Sequence, residues 1–461
     1  MADRIDLVLR GGTVVTPAGR IRADVEIDGG RIVGLSAGEA PAPAREVIDV
    51  AGLTLLPGLI DTHTHLREPG QAHKEDIAHA TRAAAAGGYT TVIGMPNTDP
   101  VTSTLERYHE AISLYERSAY VDFNHFPSGA LIEEIDGLAA AGAPGFKLFM
   151  VSGADLRQSG KGVGDSGHLF EAAEAIARTN LPMFVHGHDP ALLGVIERRA
   201  WARGERDARA YAQAYAAFEG IVWDGPTSQL VRIQAATGVH LHVLHMKTGR
   251  MADIVRAAKA AGQHVTAEVN PVCLLIANDW ANIERLGPYA LSTYIGDGQS
   301  EPLWEAFRDG TIDVIGTDHA PHTRAEKEIG WTDMWKSAGG IPHLQETLSA
   351  FLTRVDRGEL TLERLVEAGS AAPARVLGVY PRKGAILPGS DADIVAVDLD
   401  ARATFREEDV LSKCGWSAFT GETFTGLPRL TLVRGSVVYR DGRVVGQPGF
   451  GRIVRREAGE A

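Results

Sequence analysis

The sequence predicts an α/β protein: a (β/α)8 TIM-like barrel carrying a small β-sandwich domain built from both chain termini. Three observations point there. Short apolar segments alternate with Ala-rich stretches of helical period through the middle of the chain. The two ends repeat one another's hairpin pattern. Polar side chains of metal-binding type gather where the central apolar segments end, and barrel sites lie at the C-terminal ends of the strands.

Size and charge bound the rest. At 461 residues the chain can bury a substantial core. An apolar share of 44% and a charged share of 23% fit a globular protein and exclude a disordered or fibrous one. The formal net charge is −13, and no Lys/Arg block interrupts the acidic excess, which argues against a nucleic-acid partner. Cys273 and Cys414 stand far apart and outside any Cys-x-x-Cys pattern, so a reducing compartment is expected and a disulfide framework is not. No apolar run reaches the roughly 18 residues of a membrane span, and the first residues carry no apolar leader. A cytoplasmic protein with no membrane partner is expected.

The terminal domain begins with Leu7-Val8-Leu9-Arg10-Gly11-Gly12-Thr13-Val14-Val15, followed by residues 23–33 with Gly29-Gly30 between two apolar runs. Residues 432–439, followed by Asp441-Gly442-Arg443-Val444-Val445, have the same form at the other end. Val/Ile runs split by Gly-Gly or Asp-Gly are hairpin signals, and residues 393–398 add a strand. Residues 1–55 with 385–448 therefore read as one discontinuous β domain, 56–384 as the barrel, and 449–461 as a C-terminal tail.

Within the barrel the expected strands are 55–64, 89–97, 120–125, 145–150, 182–187, 239–245, 264–270 and 312–319. Between them, stretches such as 74–86 and 171–179 carry helical periodicity. A doubly wound open sheet would show the same alternation. The functional-type residues at nearly every strand end favour the barrel.

The first strand runs out through Asp61-Thr62-His63-Thr64-His65-Leu66-Arg67. Side chains at i and i+2 share a face of a strand, so His63 and His65 can grip one metal ion, although a solvated strand with paired histidines would look the same. The other strand ends add Asn97, His125, Lys147, His186 with His188, His245, Asn270, and Asp318 with His319 and His322. Each alone has a plain structural reading, as a core histidine or a helix cap. Histidines and a carboxylate at the ends of four different strands are harder to explain that way. Imidazole and carboxylate ligands suit Zn²⁺ or Mn²⁺. The donors exceed one four-coordinate site with an open position, which suggests two ions. Lys147 lies inside an apolar run, where burial depresses an unpaired ammonium's pKa and leaves a nucleophilic amine. A lysine paired to a barrel carboxylate fits the same pattern.

Five motifs carry a resemblance: Asp61-Thr62-His63-Thr64-His65-Leu66-Arg67-Glu68-Pro69-Gly70, Ala86-Gly87-Gly88-Tyr89-Thr90-Thr91, Met95-Pro96-Asn97-Thr98, Gly145-Phe146-Lys147-Leu148-Phe149 and Thr317-Asp318-His319-Ala320-Pro321-His322. With the split β domain, they resemble the cyclic amidohydrolases of the amidohydrolase superfamily: dihydroorotases, allantoinases, hydantoinases and dihydropyrimidinases. The resemblance spans almost the whole chain. It implies a small cyclic amide or ureide as substrate and two Zn²⁺ ions (Mn²⁺ as the alternative) bridged by an N-carboxylated Lys147. His63, His65 and Asp318 would complete the more buried site, His186 and His245 the other. It also implies that Asp318 takes the proton of the attacking water and passes it to the leaving ring nitrogen, and that the protein is a homodimer or homotetramer.

Arg67, Asn97 and His322 match the positions that clamp the substrate carboxylate in dihydroorotases, and a guanidinium grips a carboxylate through two hydrogen bonds. Asn270 is grouped with them as substrate-binding. Dihydroorotase-like opening of a carboxylate-bearing ring is therefore expected. The runs 145–150 and 335–342 resemble allantoinases and hydantoinases more. Three departures pull the same way: His186-Gly187-His188-Asp189 adds His188 and lacks a nearby acid, 268–273 lacks two histidines after Pro271, and 287–294 lacks a proline-rich substrate loop. Lys147 counts against a single-metal deaminase, and the presence of all six candidate ligands counts against a non-catalytic scaffold. The segment 200–223, with Trp201, Tyr211, Tyr215, Phe218 and Trp223, is aromatic enough to cover the site, although aromatics at helical spacing are more often packing; His240 and His242 are expected to be structural.

Overall fold

The computed structural model describes residues 4–38, 41–150, 160, 162–276, 279–290 and 299–456. From the N-terminus, β1 (Ile5–Thr16), β2 (Gly19–Asp28), β3 (Arg31–Ser36), β4 (Ala44–Asp49) and β5 (Thr54–Pro57) precede the first strand of the barrel. They share one sheet with β14 (Ile394–Thr404), β15 (Thr423–Val433), β16 (Ser436–Arg440) and β17 (Arg443–Val444) from the other end. The sheet runs β17-β16-β15-β14-β5-β1-β2-β3, with β4 added on β1. Alternating side chains explain the pairing. Leu7, Leu9, Val25 and Ile27 from one terminus pack with Ile394, Ala396, Leu430 and Leu432 from the other.

The barrel strands are β6 (Leu59–Thr64), β7 (Tyr89–Gly94), β8 (Asp122–His125), β9 (Phe146–Phe149), β10 (Pro182–His186), β11 (His240–Val243), β12 (Val265–Val269) and β13 (Val314–Ile315). They pair in parallel as β6-β7-β8 and as β9 through β13. Parallel bridges Ser128↔Lys147 and Thr64↔His319 join the two groups, so the eight strands close into a ring. Each expected segment contains its strand, with one revision. Residues 55–64 hold two strands, because the chain changes sheets at Gly58, whose N–H donates to the Asp393 carbonyl at 2.8 Å. The helix expected at 74–86 is Ile77–Ala86, started by Asp76, whose carboxylate accepts from the His79 N–H. The one expected at 171–179 is Ser166–Ala177. Residues 450–454 of the tail lie along β8, where Asn124 Nδ2 donates to the Val454 carbonyl at 2.6 Å. Among the described residues no helix is long and apolar enough to cross a membrane.

Candidate metal centre

β6 delivers His63, and His65 one residue beyond its end. His63 Nε2 lies 3.3 Å and His65 Nε2 3.0 Å from the same oxygen of Asp318. The three ligand atoms fall within 4.8 Å of one another. Both rings are held from behind: His63 Nδ1 is 2.5 Å from Glu268 Oε1, and His65 Nδ1 is 2.5 Å from Asn97 Oδ1. Each Nδ1 therefore carries the proton and donates it, which turns two Nε2 lone pairs toward Asp318. Two imidazoles and a carboxylate, each imidazole oriented by an outer acceptor, make a donor set for a divalent ion.

His186, ending β10, and His245, just past β11, make a second pair, with His245 Nε2 2.7 Å from His186 Nδ1. The His245 ring centroid is 5.7 Å from that of His63, so the two groups adjoin. Lys147 in β9 is fully buried, and its Nζ has no hydrogen-bond partner among the described residues. The backbone is strained here as well. Arg67 (φ 63°), His245 (φ 36°) and Asp318 (φ 54°) are left-handed without being glycine, a conformation that persists where surrounding structure enforces it, often at functional sites.

Burial and charge set the protonation states. Burial alone would raise the Asp318 carboxyl, but the adjacent His63 and His65 outweigh it and hold it well below the carboxylate range. Burial lowers His65 to about 4 against the pull of Asp318, and drives His186 and His245 well below the ordinary imidazole value. All three rings are neutral near pH 7, as ligands must be. Burial also brings the Lys147 amine down to about 7, although Asp318 and Glu268 pull the other way.

A cavity of about 250 Å³ opens onto this cluster, lined by His63, His65, Asp318 and His186 together with Arg67 and Asn97. Arg67 is buried. Its Nε donates to the Pro321 carbonyl at 3.0 Å and its Nη2 lies 3.0 Å from His322 Nε2, and no carboxylate pairs with it among the described residues. His322 thus stands behind Arg67 and outside the lining. Asn270 is also behind the wall: its Oδ1 caps the helix Pro271–Leu275, and its Nδ2 lies 3.4 Å from Asp318.

The family described as the amidohydrolase family matches residues 54–438. The chain belongs to the amidohydrolase family. It is 33% identical to the L-hydantoinase of Paenarthrobacter aurescens over 99% of each chain. To the allantoinase of Rubrobacter xylanophilus it is 35% identical over 99% of each chain. The dihydroorotase of Lactobacillus leichmannii is 33% identical over 94% of this chain and 98% of its own. Among solved structures, the L-hydantoinase from Arthrobacter aurescens superposes with a TM-score of 0.93 at 32% identity, covering 98% of this chain and 100% of that one. The family and the barrel architecture expected from sequence are borne out. Three substrate names at nearly equal identity mean that overall similarity does not choose the ring.

The site also contains one residue that sequence reasoning did not single out. Glu268 is fully buried between His63 and His242, on β12 two residues before Asn270. Of the aromatic segment 200–223, Tyr211, Tyr215 and Trp223 wall the cavity with Phe149 and His188, while Tyr211 and Trp223 also pack into the core. Trp201 and Phe218 of the same segment are exposed. His240 and His242 both reach the Thr266 hydroxyl, as structural residues do. His125 lies buried beside Tyr115, and His319 accepts the His343 N–H at 3.1 Å. Of the loop 287–294, residues 291–294 lie outside the described residues.

Proposed function

We propose that this amidohydrolase is a binuclear zinc enzyme (Mn²⁺ as the alternative) that hydrolyses the ring C–N bond of a cyclic amide or ureide, with the chemistry in residues 56–384. The observation that carries the reading is the His63–His65–Asp318 cluster adjoining His186 and His245, with the Lys147 amine buried beside them without a hydrogen-bond partner among the described residues. His63, His65 and Asp318 would hold one ion, His186 and His245 the other, and Lys147 would bridge them once N-carboxylated. A buried amine without a hydrogen bond is costly, and addition of CO₂ to its nitrogen with loss of one proton would convert it into an anionic ligand with two oxygens. The ions supply Lewis acidity at the ring carbonyl and lower the pKa of water. Asp318, kept ionised by its two histidines, accepts the proton of the attacking water and returns it to the departing ring nitrogen.

Arg67 favours a carboxylate-bearing ring, and so dihydroorotase-like chemistry. A buried guanidinium facing the cavity without a carboxylate partner would receive its counter-charge from the substrate, with Asn97 at the same wall and His322 and Asn270 behind it. A second reading, hydantoinase-type opening of an uncharged ring, is favoured by the aromatic wall of Phe149, Tyr211, Tyr215 and Trp223. The test is turnover by the zinc-loaded protein of dihydroorotate, allantoin, hydantoin and dihydrouracil. Preference for dihydroorotate supports the Arg67 clamp. Activity on uncharged rings alone transfers the assignment to the second reading, and no turnover of any ring rejects both. The proposal includes a homodimer or homotetramer, sized by light scattering, working in the reducing cytoplasm.

A further inference from the structure

The loop that leaves β11 grips the aromatic wall of the cavity at three points. Lys247 Nζ lies 4.8 Å from the ring centroid of Trp223 and is buried without a hydrogen-bond partner among the described residues. Thr248 Oγ1 donates to Asp224 Oδ1 at 2.6 Å, and Arg250 pairs with Glu219 at 2.7 Å on the surface. All three grips fall within or just after a break in the backbone. Phe218, Glu219 and Gly220 are left-handed, with φ of 53°, 59° and 96°. A Cβ on Gly220 would stand 2.3 Å from Thr248 Cγ2, so the break packs directly on the loop.

The break separates Trp223 from the helix Ala208–Tyr215 that carries the other wall aromatics. A hydrogen bond from Trp223 Nε1 to the Tyr215 carbonyl at 3.1 Å spans it. A buried ammonium without hydrogen bonds is unfavourable, and an aromatic face is the partner Lys247 has. The Trp223 ring centroid is 6.1 Å from those of His186 and His245 and 5.8 Å from that of His188, beside the second pair of candidate ligands.

We propose that Lys247 is a positioning residue: it locks Trp223 as a flat platform next to the metal centre, and the platform selects rings bearing an aromatic substituent. The proposal rests on the cyclic-amide reading above. It assigns Lys247 no contact with substrate, so its removal moves KM for substituted rings and leaves kcat in place.

The experiment compares hydantoin with 5-benzylhydantoin on the zinc-loaded wild type, Lys247→Met, Lys247→Arg and Asp224→Asn, with bound metal measured for each. Lys247→Met is expected to raise KM for the benzyl compound by about 3- to 30-fold, the range of a desolvated cation–π contact. KM for hydantoin and both kcat values should stay within about twofold, and Lys247→Arg should restore the benzyl KM. Asp224→Asn weakens the same grip from the half-exposed side and should shift KM in the same direction. That variant decides the matter if Lys247→Met does not fold. A KM change equal for both rings, a fall in kcat alone, or loss of metal overturns the platform. So does a wild type that opens only rings without an aromatic substituent. A wild type that opens no ring overturns the parent reading, and this one with it.

Discussion

Glu268 is a carboxylate sealed in the barrel with two imidazoles as neighbours, and that arrangement makes its charge useful. Burial would raise its pKa, but the neighbouring His63 and His242 hold it well below the carboxylate range, so it fixes the Nδ1–H tautomer of His63. Glu268→Gln keeps the shape but offers a weaker, neutral acceptor. Metal affinity should fall about 10- to 100-fold in titrations against a competing chelator, and unchanged affinity would remove Glu268 as the orienting partner. Lys147→Ala tests the other buried group. Bound metal and turnover should vanish together and return in part with a short carboxylic acid supplied in solution. A variant that binds two ions without the acid would end the carbamate assignment. The contrast between these residues explains what was legible at this scale. His63, His65 and Asp318 stand out because chemistry-bearing residues at strand ends converge in a barrel. Glu268 does not, because its partner is 205 positions away and a single acid between Ala267 and Val269 looks like any other.

Strands and their loops were legible where one face repeats, and less so where the backbone serves the site. The segment 312–319 shortens to a two-residue strand because Thr317 and Asp318 leave the ladder: the Thr317 hydroxyl donates to Asp61, and Asp318 turns left-handed. The wall residues 211, 215 and 223 have the helical spacing of packing aromatics, and the break at 218–220 separates Trp223 from the other two. The loop after β6 is set the same way. It turns from Arg67 to Gln71 through a 2.9 Å backbone hydrogen bond, and Gly70 sits at φ 85° with its missing Cβ only 1.9 Å from the Asp99 carbonyl oxygen. Gly70→Ala must move that turn and Arg67 with it. A stability loss of about 1–3 kcal/mol is expected from chemical denaturation, with a raised KM for a carboxylate-bearing ring and full metal content. Gly137→Ala, where a Cβ meets nothing, is the control. An unaltered KM would show that Arg67 is positioned by Pro321 and His322 alone.

At the scale of the whole molecule, the barrel and the terminal sheet are tied by one buried ammonium. Lys383 Nζ lies 2.7 Å from Asp122, 2.6 Å from Asp393 and 3.3 Å from Asp391. Asp122 opens β8 of the barrel, while Asp391 and Asp393 lead into β14 of the nine-stranded sheet. Arg434, just past β15, also pairs with Asp122. Lys383→Met leaves buried carboxylates short of a cation, and breaking such a pair from one side costs about 3–5 kcal/mol, read as a lowered urea midpoint. The cluster sits where β8 begins, and the candidate ligands sit where the barrel strands end. The folded variant should therefore bind as much metal as the wild type and turn over at the same rate. If metal is lost along with stability, the seat of the terminal sheet and the metal centre form one cooperative unit, and the strands between them transmit the loss.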